Sequence, residues 1–197
     1  MSGGKGWANP APAGLVALAV ACFIFFASLT GRIEGSAIVL MGCWLIGGFV
    51  VQVIVGVIEV LEGNTTGGNV FTFFSAFFML TGGIEMFVKF WGSVNGIPID
   101  ARVDGWAWLV LAVSLTLWTP AYMKGSNAIM SLCVICVDIA AFFVAFIDMG
   151  VLDHTMKAIP GWFLFIAGWL GIYIAAAIIL NTAFGKSVLP LPGPMIK

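Results

Sequence analysis

Gln52 and Glu59 are the residues in this chain best placed to do chemistry. With Gly48 and Val55 they fall at offsets of 0, 4, 7 and 11, one face of a helix at 3.6 residues per turn. Gly56 lies beside them, and Gly47 beside Gly48. Polar and ionisable side chains are expensive inside a membrane and are functional candidates by default. Two of them on a glycine-lined face suggest helices packed closely around a polar lumen. The plainer alternative is that Gly48 and Gly56 only pack helices, with Gln52 as a hydrogen bond between them.

Two helix starts offer a second kind of chemistry. In Asn9-Pro10-Ala11-Pro12, Asn9 suits an N-cap and Pro10 the first turn, where a missing N–H is no loss. In Asn64-Thr65-Thr66, after Glu59 and Glu62, either threonine could cap the next helix. Unpaired N–H groups and a positive dipole make such ends natural receivers of anions. Asn64-Thr65-Thr66 also matches a glycosylation sequon, but a turn is the simpler account. Downstream runs the aromatic series Phe71, Phe73, Phe74, Phe77 and Phe78, mostly packing or lipid-facing, with one or two able to form a dry constriction.

The other carboxylates divide. Glu85 has Lys89 four residues on, a spacing at which the pair satisfies itself. Asp138 has no local partner and stands with Glu59 as a candidate proton site. No lysine or arginine sits deep in an apolar run, so an anion would meet amides, hydroxyls and helix ends in shallow, weak sites. Cys133-x-x-Cys136 has a metal or redox spacing, but without a second pair and with His154 the one histidine, small hydrophobes in a core are the better reading. No metal or cofactor is expected. With no P-loop, no His/Glu metal motif and no serine–histidine pair in the apolar runs, neither is an enzyme.

These groups must be positioned by membrane helices. The 197 residues are 61% hydrophobic and 9% charged, with a mean hydropathy of +1.12, whereas soluble domains carry about 25% charged residues. Residues 6–31, 35–58, 63–84, 105–123 and 158–185 are uncharged, and 125–147 carry only Asp138. Blocks this long and uniformly apolar favour helices over the short alternating strands of a barrel. They predict an all-α integral membrane protein, one domain over 1–197, with six transmembrane helices near 12–30, 36–60, 70–91, 105–123, 126–148 and 159–183. The first block is too long, and too poor in preceding basic residues, for a cleaved signal, so Met1 is expected to stay. With both termini inside, Lys5, Lys124, Lys186 and Lys197 balance Arg32, Lys89, Arg102 and Lys157 outside, and orientation is undecided. A net charge of −1 gives no footprint for nucleic acid.

Taken in order, Asn9-Pro10-Ala11-Pro12-x-Gly14-Leu15, then Gly47-Gly48-x-x-x-Gln52-x-x-x-Gly56-x-x-Glu59-x-x-x-Gly63-Asn64-Thr65-x-Gly67, then Phe71-Thr72, Gly161-Trp162, Tyr173, Asn181 and Gly185-Lys186-x-Val188-Leu189-Pro190 resemble the acetate uptake transporters. This family includes bacterial succinate–acetate permeases (YaaH-like proteins) and fungal acetate and ammonia-export proteins, and the resemblance spans nearly the whole chain. It implies six transmembrane helices with a pore through each subunit, a homo-hexamer in the cell membrane, and cytoplasmic termini. The cargo it implies is acetate and related monocarboxylates, sometimes succinate, moving as through a channel or with protons. A phenylalanine, a tyrosine and a leucine form the family's waist; by aligned position these become Leu18, Phe74 and Cys136 here.

The sequence therefore points to a membrane pore for acetate-like monocarboxylates, with Asn9, Gln52, Glu59, Asn64 and Thr65 as weak polar contacts. Leu18, Phe74 and Cys136 would form the constriction. A channel for small neutral solutes or ammonia, and a non-transporting membrane scaffold, are the alternatives.

Overall fold

The computed structural model describes residues 6–197; Met1 and Lys5 lie outside the described residues. Six helical segments in it are long and apolar enough to cross a membrane: Ala11–Leu29, Gly35–Leu61, Thr65–Val94, Arg102–Gly125, Ala128–Asp148 and His154–Phe184. The chain is a multi-pass membrane protein. Its helices are α1 (Ala11–Leu29), α2 (Ile38–Leu61), α3 (Thr65–Phe73), α4 (Gly82–Val94), α5 (Arg102–Gly125), α6 (Ala128–Asp148) and α7 (Ala158–Phe184). Between α3 and α4 the third crossing runs through a π-helical segment, Phe74–Thr81. Short 3₁₀ turns, Gly35–Ala37 and His154–Lys157, lead into α2 and α7.

Local chemistry sets the ends. Asn9 Oδ1 accepts from the Ala11 N–H at 2.9 Å, so Asn9 closes the start of α1, with Pro10 already in helical conformation. Asn127 does the same for α6, accepting from the Met130 N–H at 2.9 Å. The third crossing differs from expectation. Thr65 is its first helical residue and Asn64, neither threonine, is the cap, accepting from the Gly67 N–H at 3.0 Å. Its start therefore lies five residues before the expected 70. Gly67 and Gly68, which read as loop, are helical because both are packed against α2 and Glu59. Gly63, at φ +85°, makes the left-handed turn that reverses the chain between the two crossings. Outside the spans, Asp100 accepts from the Arg102 backbone at 3.1 Å and from its guanidinium at 2.9 and 2.7 Å. Those bonds hold its carboxyl down at about 2, so it stays ionised through the working pH range.

The helices ring a common interior in the order α5, α6, α7, α1, α2 and then the third crossing, which approaches α5 chiefly through α3. Six crossings place the two described ends on one side, here termed the terminal side. Residues 185–197 fold back there over the α5–α6 turn: Asn181 Oδ1 accepts from the Val188 and Leu189 N–H groups at 2.6 and 3.0 Å. Tyr173 donates to the Pro190 carbonyl at 2.9 Å, and the Ala128 N–H to the Gly193 carbonyl at 3.0 Å. Asn181 and Tyr173 thus anchor the tail.

The glycines of the α2 face part company. Gly56 and Gly68 let α2 and α3 meet backbone to backbone, and Gly48 receives Met79, whereas Gly47 faces open space. Cys22, Cys133 and Cys136 are buried and Cys43 is exposed, all as free thiols. Cys133 Sγ donates to the Ala167 carbonyl at 3.4 Å, tying α6 to α7. Among the described residues no group of three His, Cys, Asp or Glu side chains is placed to hold a metal.

Candidate functional site

The sequence puts Gln52 and Glu59 on one face of α2, and the fold turns that face inward: they are 2% and 6% exposed. Gln52 Nε2 donates to the Gly14 carbonyl of α1 at 3.4 Å, which fixes the amide's orientation; Oε1 has no partner. Two turns on, Glu59 Oε2 accepts a short hydrogen bond from Asn64 Nδ2. Asn64 therefore serves two masters, the carboxylate through its nitrogen and the α3 start through its oxygen. Glu62, beyond it, accepts from the Trp7 N–H at 2.8 Å and ties down the approach to α1.

These groups line a cavity of about 110 Å³ opening toward the terminal side. Ala11, Leu15 and Leu18 come to it from α1, Gln52 and Glu59 from α2, and Asn64, Thr66, Phe71 and Phe74 from the third crossing. Leu115, Tyr122 and Ser126 complete it from α5 and its end, with Met130, Cys133, Val134 and Val137 from α6. Gln52, Glu59 and Asn64 come together here; Asn9 and Thr65 are not on the wall. Asn9 is an exposed cap, and Thr66 stands where Thr65 was expected. Tyr122 was not anticipated. Its buried side chain lines the cavity together with Glu59, a relation that depends on how the helices are arranged and leaves no local mark in the sequence.

A second cavity, of about 510 Å³, occupies the opposite half. Its inner wall is apolar, with Cys22, Phe78, Met86, Trp108 and Ala141. Its outer wall carries Glu85, Lys89, Asp104, Asp148 and Lys157. Leu18, Phe74 and Val137 border both cavities. Phe74 sits at the start of the π segment and stacks on Phe73 with ring centroids 4.6 Å apart. Of the aromatic series, Phe71 lines the first cavity, Phe77 and Phe78 the second, and Phe74 both. Cys136 is buried but lines neither; Val137, one position on, takes that place. π-helical turns recur at functional sites, where the wider turn re-aims side chains.

The ionisable groups outside the first cavity are placed differently from their sequence spacing. Glu85 does pair with Lys89, at 3.7 Å, but Lys89 makes its close hydrogen-bonded pair with Asp104, fifteen residues away on α5. Lys89, near the end of its span, thus puts a cation on the outer wall of the second cavity, beyond the pairing with Glu85 that the spacing suggested. Replacing Lys89 by methionine would leave Asp104 buried beside Glu85 and Asp148 without its counter-charge. Breaking a buried pair costs roughly 3–5 kcal/mol, less where one partner is solvated. Because Lys89 is 34% exposed, a loss of about 2 kcal/mol is expected. Thermal unfolding in detergent should show it, with Asp104→Leu in the same chain restoring most of it.

Asp138 also has a partner, on a neighbouring helix: Thr119 of α5 donates to its Oδ2 at 2.6 Å, while Oδ1 has none. Thr119 lies one residue before Pro120, within α5. Asp138 lines neither cavity and links α5 to α6.

The two cavities lie within one six-crossing bundle and share the apolar side chains of Leu18, Phe74 and Val137. Residues 4–193 match the GPR1/FUN34/yaaH family. The chain belongs to that family. It is 26% identical over 189 residues to the succinate-acetate/proton symporter SatP of Escherichia coli K12, an alignment covering 93% of this chain and 95% of that protein. It is 28% identical over 196 residues to the glyoxylate pathway regulator of Yarrowia lipolytica, covering 96% of this chain and 70% of that one. Its fold matches the structure of the bacterial acetate channel SatP with a TM-score of 0.80 at 23% identity, over 94% of this chain and 99% of that one. The six-crossing all-α fold is thus shared with that solved structure.

Proposed function

We propose that this chain passes acetate and related short monocarboxylates across the cell membrane, moving down the substrate and proton gradients. The observation that supports it most is the meeting of the two cavities at Leu18, Phe74 and Val137. A small solute would leave the polar compartment, shed water at three apolar side chains and enter the second chamber. Leu18 and Phe74 keep the constricting role expected of them, and Val137 joins them in place of Cys136. Gln52, Glu59 and Asn64 supply the polar contacts on the terminal side. Asn9 and Thr65 act by shaping the two helix starts. Relatives named as an acetate channel and as a succinate-acetate/proton symporter support the same cargo. In this reading the subunit has cytoplasmic termini and works within a homo-hexamer. Asp138 is assigned to α5–α6 packing, and Glu59 alone remains the titratable carboxylate on the path.

Gln52→Ala tests the wall. Removing one buried polar contact, worth about 1–1.5 kcal/mol, should lower labelled acetate flux in proteoliposomes roughly tenfold at unchanged folding. Unchanged uptake would take Gln52 out of the path.

A further inference from the structure

The terminal-side compartment is poor in charged donors for an anion. No lysine or arginine lines it among the described residues. Most amides at the two helix starts are already taken, the N–H of Thr66, a residue of the cavity wall, being an exception. At α1, the Ala11 N–H goes to Asn9 Oδ1, Pro12 has none, and the Ala13 N–H goes to the Pro10 carbonyl. At α3, the Thr65 N–H goes to the Gly63 carbonyl, and those of Gly67 and Gly68 to the side chain and carbonyl of Asn64. The acceptors, by contrast, are unpaired. Gln52 lines the cavity; its Oε1 is buried without a partner, while its Nε2 is spent on the Gly14 carbonyl. The Glu59 carboxylate stands two turns away on the same wall. A buried orphan acceptor favours a ligand that brings a donor, and a carboxylate beside it disfavours a second one.

We propose that this compartment takes the acid in its undissociated form, with the carboxyl O–H donating to Gln52 Oε1. The acid's carbonyl oxygen then accepts from the wall hydroxyls of Thr66, Tyr122 or Ser126, neutral donors that suffice for a neutral ligand. The proton that accompanies the substrate travels on the substrate, and neither Glu59 nor Asp138 has to carry it. This rests on the reading that the chain passes short monocarboxylates, and it names the species passed. The titratable groups that face the compartment are Glu59 from α2, Tyr122 from α5 and Cys133 from α6, with none from α1 or the third crossing.

Equilibrium binding of labelled acetate to the purified full chain, at a series of pH values, tests it. Two competitors of similar shape are used: acetamide, neutral and donating, and methanesulfonate, anionic at every pH of the series. Apparent affinity should fall roughly tenfold per pH unit above the acid's own pKa, in the wild type and in Glu59→Gln alike. Acetamide should displace acetate and methanesulfonate should not. Gln52→Met, close in volume but without the acceptor, should weaken acetate and acetamide together. Affinity independent of pH, with displacement by methanesulfonate, would overturn the proposal while leaving monocarboxylate transport standing. So would a pH slope lost in Glu59→Gln, which would put the proton on the protein. No acetate binding and no acetate flux at any pH would overturn the transport reading and this inference together. Should Gln52→Met not fold, the wild-type competitor pair still decides.

Discussion

Gly68→Val should lower the thermal midpoint of the protein more than any change on the cavity walls. A Cβ at position 68 would lie 2.5 Å from Val60 Cγ2, 2.8 Å from the Val60 backbone nitrogen and 3.1 Å from the Gly56 carbonyl. One at Gly56 would meet Thr72 Oγ1 and the Thr72 nitrogen at 2.5 and 2.9 Å. With backbone on both sides, no side chain can rotate away, so the helices must separate. Overpacking typically costs about 1–3 kcal/mol, and the upper end or beyond is expected where backbone must yield. The damage would reach the site, because this approach of α2 to α3 sets Glu59 against Asn64 and closes the α3 start. Gly47→Val, with nothing within 4 Å, is the matched control and should unfold near the wild-type temperature. Equal midpoints for the two variants in detergent would contradict the close approach.

Val137→Phe should close the path. Val137 shares with Leu18 and Phe74 the border between the two cavities, so added bulk there falls on the route itself. Acetate flux in proteoliposomes is expected to drop at least tenfold, which needs only about 1.4 kcal/mol of added barrier. Thermal unfolding and gel filtration establish that the variant folds. Cys136→Phe should leave flux less affected at equal folding, because Cys136 borders neither cavity. Full flux through folded Val137→Phe would place the route elsewhere.

Much of this was legible in the sequence for a physical reason: a bilayer asks one simple thing of a chain, and five uncharged blocks and a sixth with only Asp138 answer it. The inward face of α2 was readable from Gln52 and Glu59 because helical period is local. What was not readable depends on how helices meet. Thr65 and Thr66 resemble caps as much as Asn64 does; only the bond from Gly67, on a helix that continues through two glycines, separates them. Glu85 and Lys89 have pairing spacing, yet Asp104 claims the lysine because α5 brings a buried carboxylate to it. Asp138 looked solitary because its partner, Thr119, lies across a helix interface. Cys136 and Val137 differ by one residue, which on a helix is a turn of 100°, enough to move a side chain off the wall.

Uptake of labelled acetate into proteoliposomes, with and without an imposed inward proton gradient, tests the central claim most directly. The account predicts uptake above that of empty liposomes, increased by the gradient and lowered by Gln52→Ala. Uptake no greater than in empty liposomes, from protein shown to be folded and inserted, would contradict it.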